Sequence, residues 1–325
     1  MIKFNSTGYD PFIDFMKGFC ILSVVLTHCL PMQDEILFPF WGGQAVPIFL
    51  LIQVFHTYKK GIVNLPNINY RKIFDRILKP FIFQVSILFV ILALFSSKPF
   101  LEIIKSTLFA GGIGPGSYYV WIYIQFIFLT YITAYIIKFI KNEWALFLFF
   151  VGISIIFEII CSYTNIRSGI YRLLFFRYYF LIYLGYMWIK RGIQMNITNM
   201  LFSIVSIIFI YLLQYREVKL QPFIFDSSWR YFHWICYFYT ANLLIYIIYV
   251  IYNRLNSRII HLLKILGKYS FDIYLFQMVV FTLINPQRLS FIEYAPLRDI
   301  VFVVITTLAS IAPVIVFKQL KEKYI

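Results

Sequence analysis

The sequence predicts an all-α, polytopic integral membrane protein of about ten transmembrane helices. Three observations predict it. The 325 residues are 61% hydrophobic and only 13% charged, against about 45–50% apolar and about 25% charged in soluble domains. Ten apolar stretches approach the ~20 residues a helix needs to cross the hydrocarbon core. Lys and Arg are spread unevenly over the connections between them. Such a chain cannot cover its surface with polar groups in water. A soluble enzyme and a disordered protein are excluded, and the net charge of +15 reads as an orientation signal, not as a nucleic-acid-binding surface.

The stretches run 12–30, 43–58, 80–96, 118–138, 144–162, 177–190, 197–214, 231–252, 269–286 and 298–317. The sixth is the weakest, because Arg172 and Arg177 sit at its start. The first carries Lys3 ahead of an apolar run and could be mistaken for a signal peptide. Asp14 and Lys17 interrupt that run and no small-residue cleavage site follows, so a retained helix is expected. The longest connections, about 58–79 and 96–117, leave no room for a soluble domain, and no repeat of 20–50 residues recurs. With the N-terminus placed in the cytoplasm, eighteen Lys and Arg fall on cytoplasmic segments and ten on outer ones. That bias places both termini inside, as an even span number requires.

Ionisable residues within a span are costly and mark function by default. The first span has Asp14, Lys17 and His28. At ~100° per residue the three fall on one helix face, within about 60°. Asp14 and Lys17 are three residues apart and can pair. His28 lies about 16 Å beyond Lys17 along the axis. The line of acid, base and imidazole implies a polar interior. The same spacing also fits an interfacial Asp–Lys pair with a snorkelling lysine and a His marking the outer end. Glu158 and Asp272 are further intramembrane acids, with Gln53, Gln125 and Gln277 as mid-span polar residues. Each can serve an inter-helix hydrogen bond or a cavity.

Residues 111–121 read Gly-Gly-Ile-Gly-Pro-Gly-Ser-Tyr-Tyr-Val-Trp, a turn-forming stretch that feeds a helix. Its glycines, Gly114 and Gly116 among them, permit close backbone approach to a ligand. Tyr118, Trp121 and Gln125 then share a face. A tight loop followed by an aromatic belt explains the same residues. The Lys59–Lys79 loop is the most basic region, with Arg71, Lys72, Arg76 and Lys79 close together. Positive-inside bias accounts for much of this, and a site for a phosphorylated ligand would use the same cations. Trp229, Arg230, Tyr231, His233 and Trp234 cluster at a span start and read as interfacial anchors, with sugar stacking as the alternative. Four Cys without CxxC spacing and four His without HExxH give no disulfide framework and no metal site.

The chain resembles the acyltransferase-3 family of membrane O-acyltransferases, many of which decorate bacterial surface polysaccharides. Asp14, Lys17-Gly18 and His28 carry the resemblance most specifically: an acid, then Arg or Lys with Gly, then His after ten intervening residues. Val46-Pro47-Ile48-Phe49 is similar to the family's second span, although Ile52-Gln53-Val54 stands where Ser-Gly is usual. Arg76 to Pro80 resembles the basic entry to the third span, with Lys72 and Arg76 as the nearest substitutes for an Arg-x-x-Arg pattern. Gly114 to Tyr119 resembles a loop in a subset of members. Residues 266–275, Leu-Gly-Lys-Tyr-Ser-Phe-Asp-Ile-Tyr-Leu, resemble the ninth-span pattern, and Gln277 stands where many members have His.

The resemblance implies a single membrane acyltransferase domain over 1–325, without an esterase-like domain, in the inner or plasma membrane. It implies acyl-CoA, most often acetyl-CoA, as co-substrate and no bound cofactor. The acceptor would be a hydroxyl of a polysaccharide or a lipid-linked glycan. His28, Lys17 and Asp14 become the catalytic candidates. Arg71, Lys72, Arg76 and Lys79 become the acyl-CoA candidates. Gly114, Gly116, Ser117, Tyr118, Tyr119, Trp121, Gln125, Asp272 and Gln277 become the cavity candidates. A hydroxyl needs a base near neutral pH, which His supplies, and the oxyanion needs donors, from Lys17 or the glycine-rich backbone. Direct transfer and an acyl-enzyme both remain open. A transporter of lipid-linked glycan, or a non-catalytic export subunit, would use the same intramembrane charges.

Overall fold

A computed structural model describes residues 2, 9–29, 37–59, 61–62, 68–95, 100–109, 116–227, 229–284, 292 and 294–324. The described residues are helical, with one isolated bridge between Ile2 and Ile193. The helices are α1 (Pro11–Cys29), α2 (Ala45–Tyr58), α3 (Tyr70–Ile73), α4 (Lys79–Phe95), α5 (Phe100–Phe109), α6 (Tyr118–Phe139) and α7 (Glu143–Tyr163). They continue with α8 (Ser168–Leu173), α9 (Phe180–Arg191), α10 (Ile197–Gln214), α11 (Ile245–Arg254), α12 (Ser257–Lys268), α13 (Ser270–Leu283) and α14 (Ala295–Tyr324).

Among the described residues, seven helices are long and apolar enough to span a membrane. They begin at Pro11, Tyr70, Tyr118, Glu143, Ile197, Trp234 and Pro296. The remaining three apolar stretches are helical but short: α2 and α13 have 14 residues and α9 has 12. At 1.5 Å per residue a 14-residue helix reaches about 21 Å, less than a ~30 Å core. The protein is therefore an all-helical, multi-pass membrane protein. Apolar side chains such as Phe139 (84% exposed) and Leu94 (71%) stand on its outside, where lipid takes the place of water.

The third span starts earlier than the sequence suggests. Helix runs unbroken from Tyr70 through a π-helical turn, Phe74–Leu78, into α4. Arg71, Lys72, Arg76 and Lys79 thus lie on a helix, not in a loop. Lys and Arg are good helix formers, so hydropathy ends at Lys79 while the helix does not. The helices α5, α8 and α12 likewise occupy stretches expected to be connections.

The chain forms two compact units. One comprises Met1–Asp10, Val46–Asn69 and Trp121–Arg254. Within it, Asn142 and Asn196 cap α7 and α10 by accepting backbone N–H groups with their side chains. Two of its buried side chains bond across helices: Tyr58 donates to the Thr130 carbonyl at 2.5 Å and Trp188 Nε1 to the Ala241 carbonyl at 3.0 Å. The other unit comprises Pro11–Ala45, Tyr70–Val120 and Leu255–Ile325. There α1 packs against α12, α13 and α14, and α4 packs against α13.

Two glycines set the α1–α12 crossing. A Cβ on Gly18 would sit 1.8 Å from the Leu263 carbonyl oxygen, and one on Gly267 would sit 1.8 Å from that of Asp14. The two backbones therefore touch where both residues lack side chains, the small-residue packing that membrane helices favour.

Candidate functional site

The second unit contains the first-span candidates Asp14, Lys17 and His28, so its site can be built from α1 outward. Lys17 Nζ lies 3.0 Å from Asp14 Oδ1, with both side chains mostly buried. The pair forms because i and i+3 side chains meet on a helix surface. Among the described residues, this unit also holds the ion pairs Lys318 Nζ to Asp272 Oδ1 at 2.8 Å and Lys268 Nζ to Glu322 Oε2 at 2.8 Å. Tyr269 also donates to Glu322, at 3.0 Å. Hydrogen bonds from Lys268 and then Tyr269 hold the Glu322 carboxyl below its ordinary range. The same bond to Glu322 raises the Lys268 ammonium.

His28 sits near the other end of α1. Its ring meets Phe281 of α13 edge to face, with centroids 5.4 Å apart. Its Nε2 faces Gly116: a Cβ there would lie 3.8 Å from that nitrogen and 3.5 Å from Tyr274 Cε2. Gly116 has φ +82°, a left-handed conformation that suits glycine. Its carbonyl accepts two hydrogen bonds, from Tyr274 Oη at 2.5 Å and from the Tyr119 amide at 2.9 Å. Tyr119 packs edge to face on Tyr274, with centroids 5.5 Å apart. The turn ahead of α6 is thus tied to α13 and set against the imidazole. Next to His28, Cys29 Sγ lies 2.9 Å from Thr306 Oγ1 of α14.

The structure brings some candidates together and separates others. Gly116 lies at His28, followed in the same turn by buried Ser117 and Tyr119. Gln277 is completely buried on α13, and among the described residues neither of its amide atoms has a hydrogen-bond partner. Asp272 is half exposed and paired with Lys318. Lys17 does not meet His28, because eleven residues of unbroken helix hold them about 16 Å apart. Arg71, Lys72, Arg76 and Lys79 are exposed, and Arg71 pairs loosely with Asp75 at 3.8 Å. Tyr118 is half-buried in the first turn of α6. Trp121 and Gln125 belong to the other compact unit, where Trp121 is exposed and Gln125 donates to the Leu173 carbonyl at 2.8 Å. Gly114 lies outside the described residues.

Sequence reasoning missed Tyr274 and Phe281 as neighbours of His28. Their signal was present: Tyr274, Gln277 and Phe281 follow i, i+3, i+7 spacing and share a helix face. In the other unit, the residues read as interfacial anchors include a buried network. Glu158 accepts from Tyr171 Oη at 2.7 Å and from the Phe225 amide at 2.8 Å, and its carboxylate lies 3.4 Å from His233 Nδ1. Arg177 donates to the Phe232 carbonyl at 3.1 Å and lies over the Tyr171 ring. These bonds tie residues 225–233 to α7 and α8, the inter-helix role open to Glu158.

The described residues thus form a multi-pass helical membrane protein in which an imidazole is set against a glycine turn. A family model described as an acyltransferase domain matches residues 10–317, and the chain belongs to that family, acyltransferase-3. No curated protein and no solved structure gives a match.

Proposed function

We propose that the protein transfers an acyl group, acetyl in the simplest case, from acyl-CoA to a hydroxyl of a cell-surface polysaccharide or its lipid-linked precursor. The observation that carries this reading is His28 Nε2 facing the Gly116 turn in a chain of the acyltransferase family. In this reading His28 takes the proton of the acceptor hydroxyl as its oxygen attacks the thioester carbonyl. The C–S bond then breaks, and the departing thiolate takes the proton back from the imidazolium. His is suited to both steps near neutral pH. The backbone N–H groups of the Gly116–Ser117 turn are the donors closest to hand for the oxyanion.

Lys17 has a different part, because 16 Å separates it from His28. Held by Asp14, it presents a cation at the opposite end of α1. With the exposed Arg71, Lys72, Arg76 and Lys79 it suits the phosphates of CoA arriving from the cytoplasm. Ten spans, with both termini cytoplasmic, agree with the Lys and Arg distribution and put these cations on the donor's side.

The test is mass spectrometry of the surface glycan from cells carrying wild type, His28→Ala or no protein. His28→Ala should insert at wild-type abundance and leave the glycan without the acyl group, since a general base contributes about 10²–10⁴-fold. His56→Ala, on α2, should acylate normally. Normal acylation by His28→Ala refutes the assignment. Loss of the whole polymer in the strain without the protein would point to a transporter.

A further inference from the structure

Gln277 is a buried polar group in this unit that the reaction above leaves unexplained, and the one beside the His28 contacts with both amide atoms unpaired. Its side chain has no exposure, and among the described residues neither its oxygen nor its nitrogen has a partner. An amide buried in this state loses its hydrogen bonds to water without replacement, a cost that a methionine of similar size would avoid. The position is not arbitrary. At ~100° per residue Tyr274, Gln277 and Phe281 share one side of α13 within about 60°. Tyr274 meets the Gly116 turn and Phe281 meets the His28 ring, so Gln277 lies between two contacts that flank the imidazole.

Depth along the bundle narrows what it can meet. Gly267, just before α13, touches Asp14 of α1, and Phe281 touches His28. The two helices therefore run in the same direction. Gln277 is one turn nearer the Lys17 end than Phe281, about 6 Å along the axis. A donor whose phosphates stay at the Lys17 end must pass its arm by Gln277 to bring a thioester to His28. The arm of CoA, pantetheine, carries amides in its chain. A primary amide with a free N–H and a free C=O is the complement of a chain amide, offering one donor and one acceptor side by side.

We propose that Gln277 is a specificity residue that hydrogen-bonds an amide of the donor's pantetheine arm. The inference rests on the acyl-CoA reading above. A donor amide there would pair with both atoms of the Gln277 side chain, so donors with the amide are favoured over donors without it.

The test uses the full-length protein in membranes and the unacylated glycan from cells lacking it. Three donors are compared by thiol release: acetyl-CoA, acetyl-S-N-acetylcysteamine, which keeps the amide nearest sulfur, and S-pentyl thioacetate, which matches its length without the amide. Wild type should prefer the amide-bearing short thioester by about 10- to 100-fold in kcat/KM, the range of one or two hydrogen bonds. Gln277→Met should erase that preference, leave KM for the glycan unchanged and unfold at the same or a higher temperature. Gln277→Leu repeats the measurement with a second apolar shape. A preference that survives both substitutions, or a change confined to KM for the glycan, overturns the inference while acyl transfer stands. Lowered thermal stability in both variants also overturns it, by showing that the amide already has partners. If wild type releases no thiol from acetyl-CoA, the acyl-transfer reading fails and the inference falls with it.

Discussion

Replacing Gly267 by alanine tests whether the α1–α12 contact positions the helix that carries His28. The added Cβ would lie 1.8 Å from the Asp14 carbonyl oxygen, below the 3.0 Å that real Cβ contacts respect. The atom it would meet is backbone, so no side chain can swing away. The helices must part by at least about 1.2 Å for that contact to reach 3.0 Å. Forcing an extra methyl into a packed interior costs about 1–3 kcal/mol. Asp14 and His28 lie on the same rigid helix about 21 Å apart, so a shift at one end carries to the other. A displacement of about 1 Å at a reacting group can cost about 100-fold in rate. Gly267→Ala should therefore unfold at lower temperature in detergent and acylate glycan about 100-fold more slowly. Gly18→Ala, which meets the Leu263 carbonyl at 1.8 Å, should behave alike. The double variant should be less than additive because both act on one crossing. Gly152→Ala is the control: it lies within α7, and a Cβ there meets nothing within 4 Å. Wild-type stability and activity in Gly267→Ala would refute the reasoning.

How much of this was legible in sequence follows from range. The one-face line of Asp14, Lys17 and His28 is a property of a single helix, and 100° per residue places it. The Asp14–Lys17 pair followed from i,i+3 spacing and is present. The contacts around His28 are of another kind. Tyr274 reaches a carbonyl 158 residues away, and no local pattern encodes that separation. Gln277 could be picked out as a polar residue in an apolar run, but its lack of partners depends on every helix around it. The start of the third span was hidden for a different reason. Hydropathy reports where lipid begins, and Tyr70 to Lys79 is helix that extends beyond that point. The network of Glu158, Tyr171 and His233 was missed because aromatics at a span end look alike whether they face headgroups or a buried carboxylate. Gly18 and Gly267 are legible only as small residues. Their pairing emerges once two helices are laid across each other.

Three further predictions follow from the same geometry. Leu37 and Tyr70 are both exposed, and the four native cysteines are buried. A membrane-impermeant thiol reagent should therefore label Leu37→Cys in intact cells and Tyr70→Cys only after permeabilisation, and equal labelling from outside would sink the ten-span topology. Neutralising Arg76 and Lys72 together should weaken acyl-CoA binding, and added salt should weaken it in wild type, because exposed charges are screened. Unchanged binding in the double variant would place the donor site elsewhere. Gly116→Ala addresses the proposed reacting centre. The methyl would stand 3.8 Å from His28 Nε2 without overlapping it. It would occupy the space a hydroxyl must enter to come within about 2.6–3.2 Å of that nitrogen. The left-handed φ of +82° adds a strain of about 1–2 kcal/mol. Gly61→Ala separates these two effects, since its φ is +91° and a Cβ there meets nothing within 4 Å. Both variants should lose a similar amount of stability, and acylation should fall steeply in Gly116→Ala alone. Equal activity in the two would mean that the acceptor does not approach His28 across Gly116, and the turn would then be a structural tie between α6 and α13 and not a wall of the site.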